Sequence, residues 1–179
     1  MGFLSSEIGF PSPDKCLFHV IPAGYEASVS YGKGTKNGPK AIIEASQQLE
    51  LFDGKSIPAE KGIYTHPPLR FDQSSQKNFL LIEKTVASIL KKNKLPILLG
   101  GEHDVDAFDP SVIPSTGTPV PGGLTWYQAL NLLHQRTKDR QVIGFDVVEL
   151  APIEHHHASD FAVATLVYSL MGMVRGDVL

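Results

Sequence analysis

Pro96-Ile97-Leu98-Leu99 is an unbroken apolar run that empties into Gly100-Gly101-Glu102-His103-Asp104-Val105-Asp106-Ala107-Phe108-Asp109-Pro110. A short apolar run bounded by glycine reads as a strand buried on both faces. Such strands belong to parallel sheets with helices on either side. Beyond the two glycines the chain gathers one imidazole, His103, and four carboxylates, those of Glu102, Asp104, Asp106 and Asp109, within a few residues. Carboxylates held beside an apolar strand are costly without a compensating cation. Imidazole mixed with carboxylates suits Mn2+ or a similar borderline-hard ion better than a thiolate-loving one.

As one continuous strand the stretch is awkward. Successive side chains point to opposite faces, so Asp104 and Asp106 converge while His103 turns away. The three share an ion only if His103 and Asp104 stand on different elements, or if the backbone kinks sharply between them.

Around this stretch the chain alternates strand and helix signals. Residues 16–22, apolar almost throughout, read as a central strand. Gly38-Pro39 opens a helix over 40–52, with Ala41, Ile42, Ala45, Leu49 and Phe52 at helical spacing. Residues 62–65 form a short edge strand, 78–92 a helix, and 95–99 the strand described above. Thr125 and Gln128 have the spacing of a capping box, which starts a helix running to about 137. A strand over 141–148 ends at Glu149, and a last helix runs from Ser159 or Asp160 to about 173. Residues 1–14 are expected to be an extended arm. The pattern predicts an α/β fold, a three-layer α-β-α sandwich with a largely parallel sheet, as one domain over 1–179. Ligands of such sheets bind beyond the carboxyl ends of the strands. His103, the Asp104/Asp106 pair and Glu149 all fall at predicted strand ends.

Composition narrows the function. A net charge of −3 gives no basic footprint for nucleic acid. One cysteine, Cys16, allows no internal disulfide and fits a reducing compartment. Residues 1–9 lack a basic region and a long apolar core, so no signal peptide is expected. No apolar run suffices to span a bilayer. The expected location is cytoplasmic.

Several motifs resemble the arginase/agmatinase (ureohydrolase) family. Gly100-Gly101-Glu102-His103 is similar to its Gly-Gly-Asp/Glu-His motif, and Asp104-Val105-Asp106-Ala107-Phe108-Asp109-Pro110 to its Asp-x-Asp-x-x-Asp-Pro motif. Pro114-Ser115-Thr116-Gly117-Thr118-Pro119, Gly144-Phe145-Asp146-Val147-Val148-Glu149 and Gly34-Thr35-Lys36-Asn37-Gly38-Pro39 resemble further family segments, with agmatinases nearest in wording. The resemblance implies hydrolysis of a small guanidino substrate to urea and an amine at a site with two Mn2+ ions. It implies that His103, Asp104 and Asp106 are metal ligands and that Glu149 anchors the guanidinium. It also implies a homo-oligomer. Agmatine is the nearest substrate, with arginase and guanidinobutyrase activities as alternatives.

The chain departs from that family in one respect. The family carries a long middle segment with an Asp-Ala-His-x-Asp motif between the first two motifs, and this chain has none. Glu102 stands where the family has a Ser before its later Asp-x-Asp. A break near 103/104 is therefore expected. Either the gene lacks the segment, which would leave an inactive binding or structural subunit, or the protein has it and this sequence does not. In the second case the Cα atoms at the junction would lie farther apart than the ~3.8 Å of a bonded pair.

The remaining histidines read as bystanders. His19 is expected as a satisfied core residue, His66 beside two prolines as a surface residue, and His134 as an exposed helical one. His155-His156-His157 are consecutive and cannot easily chelate one ion together. Gly32-Lys33-Gly34 lacks the spacing of a phosphate-binding loop.

Overall fold

The structure is a computed structural model that describes residues 1–26, 33–72, 74–101 and 107–174. Four strands, β1 (Phe18–Pro22), β2 (Ile63–Thr65), β3 (Leu95–Leu99) and β4 (Phe145–Val147), form a sheet in the order β2-β1-β3-β4. Every neighbouring pair is parallel, with Val20 opposite both Thr65 and Ile97, and Leu98 opposite Asp146. All five residues of β1 are buried, as its uniform apolar character requires of a central strand.

The two faces of the sheet meet different helices. Phe18, Val20, Leu95, Ile97 and Leu99 alternate onto one face. There they join Ile42 and Ile43 of α2 (Gly38–Ala45) and Val163, Val167 and Met171 of α5 (Ala158–Met173) in one core. On the other face Pro96 and Leu98 share an apolar groove with Val86 and Leu90 of α3 (Ser75–Leu90). Helix, sheet, helix: the α/β layering expected from the alternation is present. The helix α4 (Trp126–Thr137) begins where expected, and the Gln128 side chain accepts from both the Thr125 N–H and its hydroxyl. Among the described residues no helix is long and apolar enough to cross a membrane.

Four expectations need correction. The N-terminal stretch is no extended arm: it forms α1 (Ser5–Ile8) and a 3-10 turn over Pro13–Lys15. Phe3 and Leu4 are buried to 1% and 0% exposure, worth about 1.5–3 kcal/mol each. Their amides donate to Thr65 Oγ1 and Ser46 Oγ, both at 2.8 Å, which straps this end across β2 and the end of α2. The helix over 40–52 stops at Ala45 and tightens into a 3-10 turn over Ser46–Gln48. Ser46 causes the change, because its hydroxyl bonds back to the Ile43 carbonyl at 2.7 Å. Phe52 therefore leaves the helical stripe and is 60% exposed. The strand over 141–148 shrinks to Phe145–Val147, the three residues with partners on β3. His66 is half-buried, and its Nε2 lies 2.9 Å from His19 Nδ1.

Candidate functional site

The carboxyl ends of β1, β3 and β4 are tied together by backbone hydrogen bonds that continue past the strands. Ala23 N–H donates to Leu99 O at 2.7 Å, Gly100 N–H to Val147 O at 2.8 Å, and Glu149 N–H to Gly101 O at 2.9 Å. The Gly-Gly pair is needed for this closure. A Cβ on Gly101 would stand 2.0 Å from the Tyr25 carbonyl oxygen, and one on Gly100 would stand 2.6 Å from Val148 Cγ1. Two glycines thus let the loop after β1 and the end of β4 close on the tip of β3.

Glu149 is where that closure delivers a carboxylate. It is 6% exposed and has φ +70, a left-handed conformation unusual for a side chain of its size. It lines a cavity of about 180 Å3 with Phe108, Ile113, Thr116, Val163 and Leu166. Thr116 Oγ1 is buried there, and like the buried Oγ of its neighbour Ser115 it has no hydrogen-bond partner among the described residues. The Pro-Gly-rich loop is drawn onto this cavity by Ala151 N–H, which donates to Ser115 O at 2.9 Å. Asp109 fixes the same loop, as its position before Pro110 suggests. It accepts from the Ser111 hydroxyl at 2.5 Å, the Ser111 N–H at 2.9 Å and the Gly122 N–H at 2.8 Å. These donors, the Ser111 hydroxyl first, hold its carboxyl below the ordinary range.

The expected metal ligands His103, Asp104 and Asp106 lie outside the described residues, with Glu102 and the 103/104 junction. Their two flanks are placed. Gly101 is packed under Tyr25 beside Glu149, and the Ala107 carbonyl accepts from Leu124 N–H at 2.8 Å. Among the described residues no three His, Cys, Asp or Glu side chains stand where they could hold one metal ion. Asp146 is exposed at the centre of β4. His155, His156 and His157 form an exposed loop before α5, as expected.

One carboxylate had no sequence signal beyond its glycine-rich surroundings. Glu26 Oε2 accepts from Gly34 N–H at 2.8 Å, Thr35 Oγ1 at 3.0 Å and Lys36 N–H at 3.2 Å. Burial works to raise its carboxyl, but these donors outweigh it and hold the group below the ordinary carboxylate range. Glu26 thereby pins the 3-10 turn Thr35–Asn37 that leads into α2.

Comparisons with known proteins bear on the family and the fold. The arginase family profile matches residues 17–104 and 104–172, two stretches that meet where the motif spacing is interrupted. The N(1)-aminopropylagmatine ureohydrolase of Synechocystis is 26% identical over 287 aligned residues, spanning 95% of this chain and 92% of that protein. Since 287 positions exceed the 179 residues of this chain, a long part of that relative has no counterpart here. Further curated relatives, among them agmatinases and arginases, align over 22% to 40% of their own length. Among solved structures, the agmatine ureohydrolase of Thermoplasma volcanium superposes with a TM-score of 0.85 at 15% identity, covering 97% of this chain and 94% of that one. A Trypanosoma cruzi formiminoglutamase solved with Mn2+ superposes with a TM-score of 0.78 at 13% identity, covering 94% and 96%. With the family profile matched over most of its length and a sheet that superposes on the same fold, the chain belongs to the arginase family.

Proposed function

We propose that the chain carries the guanidinium-anchoring half of a ureohydrolase site. The substrate would be agmatine or a related guanidino compound, cleaved to urea and the matching amine, putrescine for agmatine. One observation supports this most: Glu149 has a buried side chain and a strained backbone whose N–H donates to the Gly101 carbonyl at the carboxyl edge of a parallel sheet. A planar guanidinium matches a carboxylate through two parallel N–H···O bonds, which would fix the orientation of its carbon. Water adds to that carbon, the C–N bond to the alkylamine breaks, and the amine leaves with a proton. His103, Asp104 and Asp106 would hold Mn2+, a fit that rests on the chemistry of one imidazole and two carboxylates. When bound, two such ions supply the acidified water and the charge stabilisation this attack requires. Arginase or guanidinobutyrase activity would use the same anchor with other contacts to the far end of the substrate. The proposal includes a cytoplasmic homo-oligomer acting on a small molecule, with no nucleic-acid or membrane partner.

A second reading is favoured by the interrupted family match: a catalytically inactive subunit that uses the fold for binding or structure. Three ligands hold one ion at best, and a two-metal bridge needs more. The intact mass of the expressed protein separates the two readings. A mass of 19.5 kDa favours the inactive subunit, and a mass larger by the family's middle segment favours the enzyme. The functional test is urea release from agmatine with Mn2+. No release from agmatine or arginine by a metal-loaded protein of the larger mass would defeat the hydrolase reading.

A further inference from the structure

Glu149 depends on Gly101, whose carbonyl accepts its N–H at 2.9 Å. Gly101 is by itself a soft foundation, because a residue without Cβ has the widest choice of backbone conformations. The backbone of Tyr25 is what confines it. It lies so close that a Cβ on Gly101 would stand 2.0 Å from the Tyr25 carbonyl oxygen, 2.7 Å from the carbonyl carbon and 2.9 Å from the Tyr25 nitrogen. Tyr25 is tied to the sheet only through Ala23. Its N–H donates to Ala23 O at 2.7 Å, and Ala23 N–H donates to Leu99 O at 2.7 Å.

The side chain of Tyr25 is held elsewhere, at the start of α3. Its ring centroid lies 5.2 Å from that of Phe71, tilted by 55°, and 5.9 Å from that of Phe79, edge-on at 74°. Tilted and edge-on rings attract one another beyond the area they bury. The Tyr25 hydroxyl donates to Ser75 Oγ at 2.8 Å. Ser75 and Phe79 are four residues apart on α3 and so share one face of the helix. Tyr25 therefore joins two elements: its side chain is latched on α3, and its backbone covers the tip of β3. It does not line the Glu149 cavity.

We propose that Tyr25 is the positioning residue for Glu149. The inference rests on the reading of Glu149 as the guanidinium anchor. The latched ring sets where the Tyr25 backbone lies, that backbone confines Gly101, and the Gly101 carbonyl keeps Glu149 at φ +70. Tyr25 itself touches neither the substrate nor the reacting atoms. Without the latch Gly101 gains freedom, and Glu149 relaxes from a conformation that persists only where its surroundings enforce it. A carboxylate that pairs through two parallel hydrogen bonds needs both oxygens in place, so a small rotation is enough to weaken the pairing.

The test is a cycle of variants in the Mn2+-loaded protein, read by urea release from agmatine and by hydrogen exchange at the Glu149 amide. Tyr25→Ala should lower kcat/KM about tenfold, within the loss that a slight misplacement of a binding group produces. It should also speed exchange of the Glu149 amide roughly tenfold, as local opening becomes easier. Tyr25→Phe keeps the ring between Phe71 and Phe79 and should recover most of both. In a Glu149→Gln background the Tyr25→Ala loss in kcat/KM should vanish, because two residues that act through one group are not additive. A side chain that only stabilised the fold would cost the same in either background. Should Tyr25→Ala lose its native circular dichroism, Phe79→Ala, at a position 61% exposed, should show the same pattern at smaller size. The inference alone is overturned if Glu149→Gln lowers kcat/KM and the Tyr25→Ala loss multiplies with it, or if Tyr25→Ala keeps the parent's kcat/KM and exchange. An unchanged kcat/KM in Glu149→Gln defeats the anchor reading, and this inference with it. If the protein releases no urea, exchange decides: a faster Glu149 amide in Tyr25→Ala supports the positioning, and a parental rate overturns it.

Discussion

Glu149 keeps φ at +70 although no glycine stands there. A side chain in that region costs about 1–3 kcal/mol, and such strain persists only where surrounding contacts over-determine it. Here the contacts are the hydrogen bond to Gly101 and the burial of the side chain. If the carboxylate is the guanidinium anchor, Glu149→Gln keeps the shape and removes the charge. Losing the charge-assisted bonds should cost about 3 kcal/mol, roughly a 100-fold drop in kcat/KM for urea release. The thermal midpoint should hold steady, and an unchanged kcat/KM would remove Glu149 from the anchoring role. Gly101 offers a structural counterpart. Its added methyl would meet a backbone oxygen at 2.0 Å, which no rotamer relieves. Gly101→Ala should therefore lower stability by about 3 kcal/mol in urea titration; a change under a few tenths would show that the Tyr25 loop yields freely. The place of Glu149 at a strand end was legible in the sequence, while its anchoring role comes only from the family resemblance. Its burial and its φ were not legible, since both depend on Gly101 and on the loop 107–124. The role of Glu26 was hidden for the same reason, because its three donors come from residues eight to ten positions away.

At the scale of elements, β1 and β2 are joined at one end by an imidazole pair. His19 Nδ1 lies 2.9 Å from His66 Nε2, and His19 Nε2 lies 3.1 Å from the Pro13 carbonyl. The Tyr64 ring tilts against His19 and stands edge-on to His66. Each ring is held below its ordinary pKa by burial first. Lys94 and Lys92 add to the effect at His19, and His19 and Lys92 add to it at His66. The unfolded chain therefore takes up protons near pH 6.5 while the folded one resists them. By linkage, stability is fully present above that pH and is lost as pH falls through the window down to the folded values, where the slope flattens. Urea midpoints should fall between pH 7.5 and 5.5, and His66→Ala should flatten that slope. Asp160, with its raised carboxyl, works in the opposite sense, so the informative quantity is the difference between parent and variant. A parent midpoint that rises on acidification, or a variant slope equal to the parent's, would contradict this account. His19 in the core is legible from its place in an apolar strand. His66 is not, because its neighbours in sequence are prolines while its neighbour in space is on another strand. The helices were legible from apolar spacing and caps, but the end of α2 was not, since one hydroxyl at Ser46 outweighs a stripe that continues to Phe52.

Across the whole molecule, the order β2-β1-β3-β4 leaves β4 with one strand neighbour among the described residues. That order could not be read from the chain, because parallel strands pair through crossovers that sequence proximity does not determine. The interruption at 103/104 could be read, because motif spacing registers a lost segment directly. The two facts bear on each other. Parallel sheets are nearly always covered on both faces and are seldom left open at a flat edge. Here an apolar groove of about 370 Å3 lies between α3 and β4, and Ile143 at its end is 57% exposed. Asp146, exposed at the centre of β4, is a charge of the kind that blunts edge pairing, but a single carboxylate on a three-residue strand protects little. The 179-residue chain on its own should therefore associate as its concentration rises and should brighten a hydrophobic dye. Ile143→Lys adds a charge at the rim of the groove without touching the core, so it should reduce both signals while leaving the urea midpoint within about 0.5 kcal/mol. If scattering and dye binding are already low in the parent, or are untouched by the lysine, the groove is not the sticky surface. The exposed apolar residues of α3, Phe79 at 61% and Leu80 at 44%, are then the next place to introduce a charge.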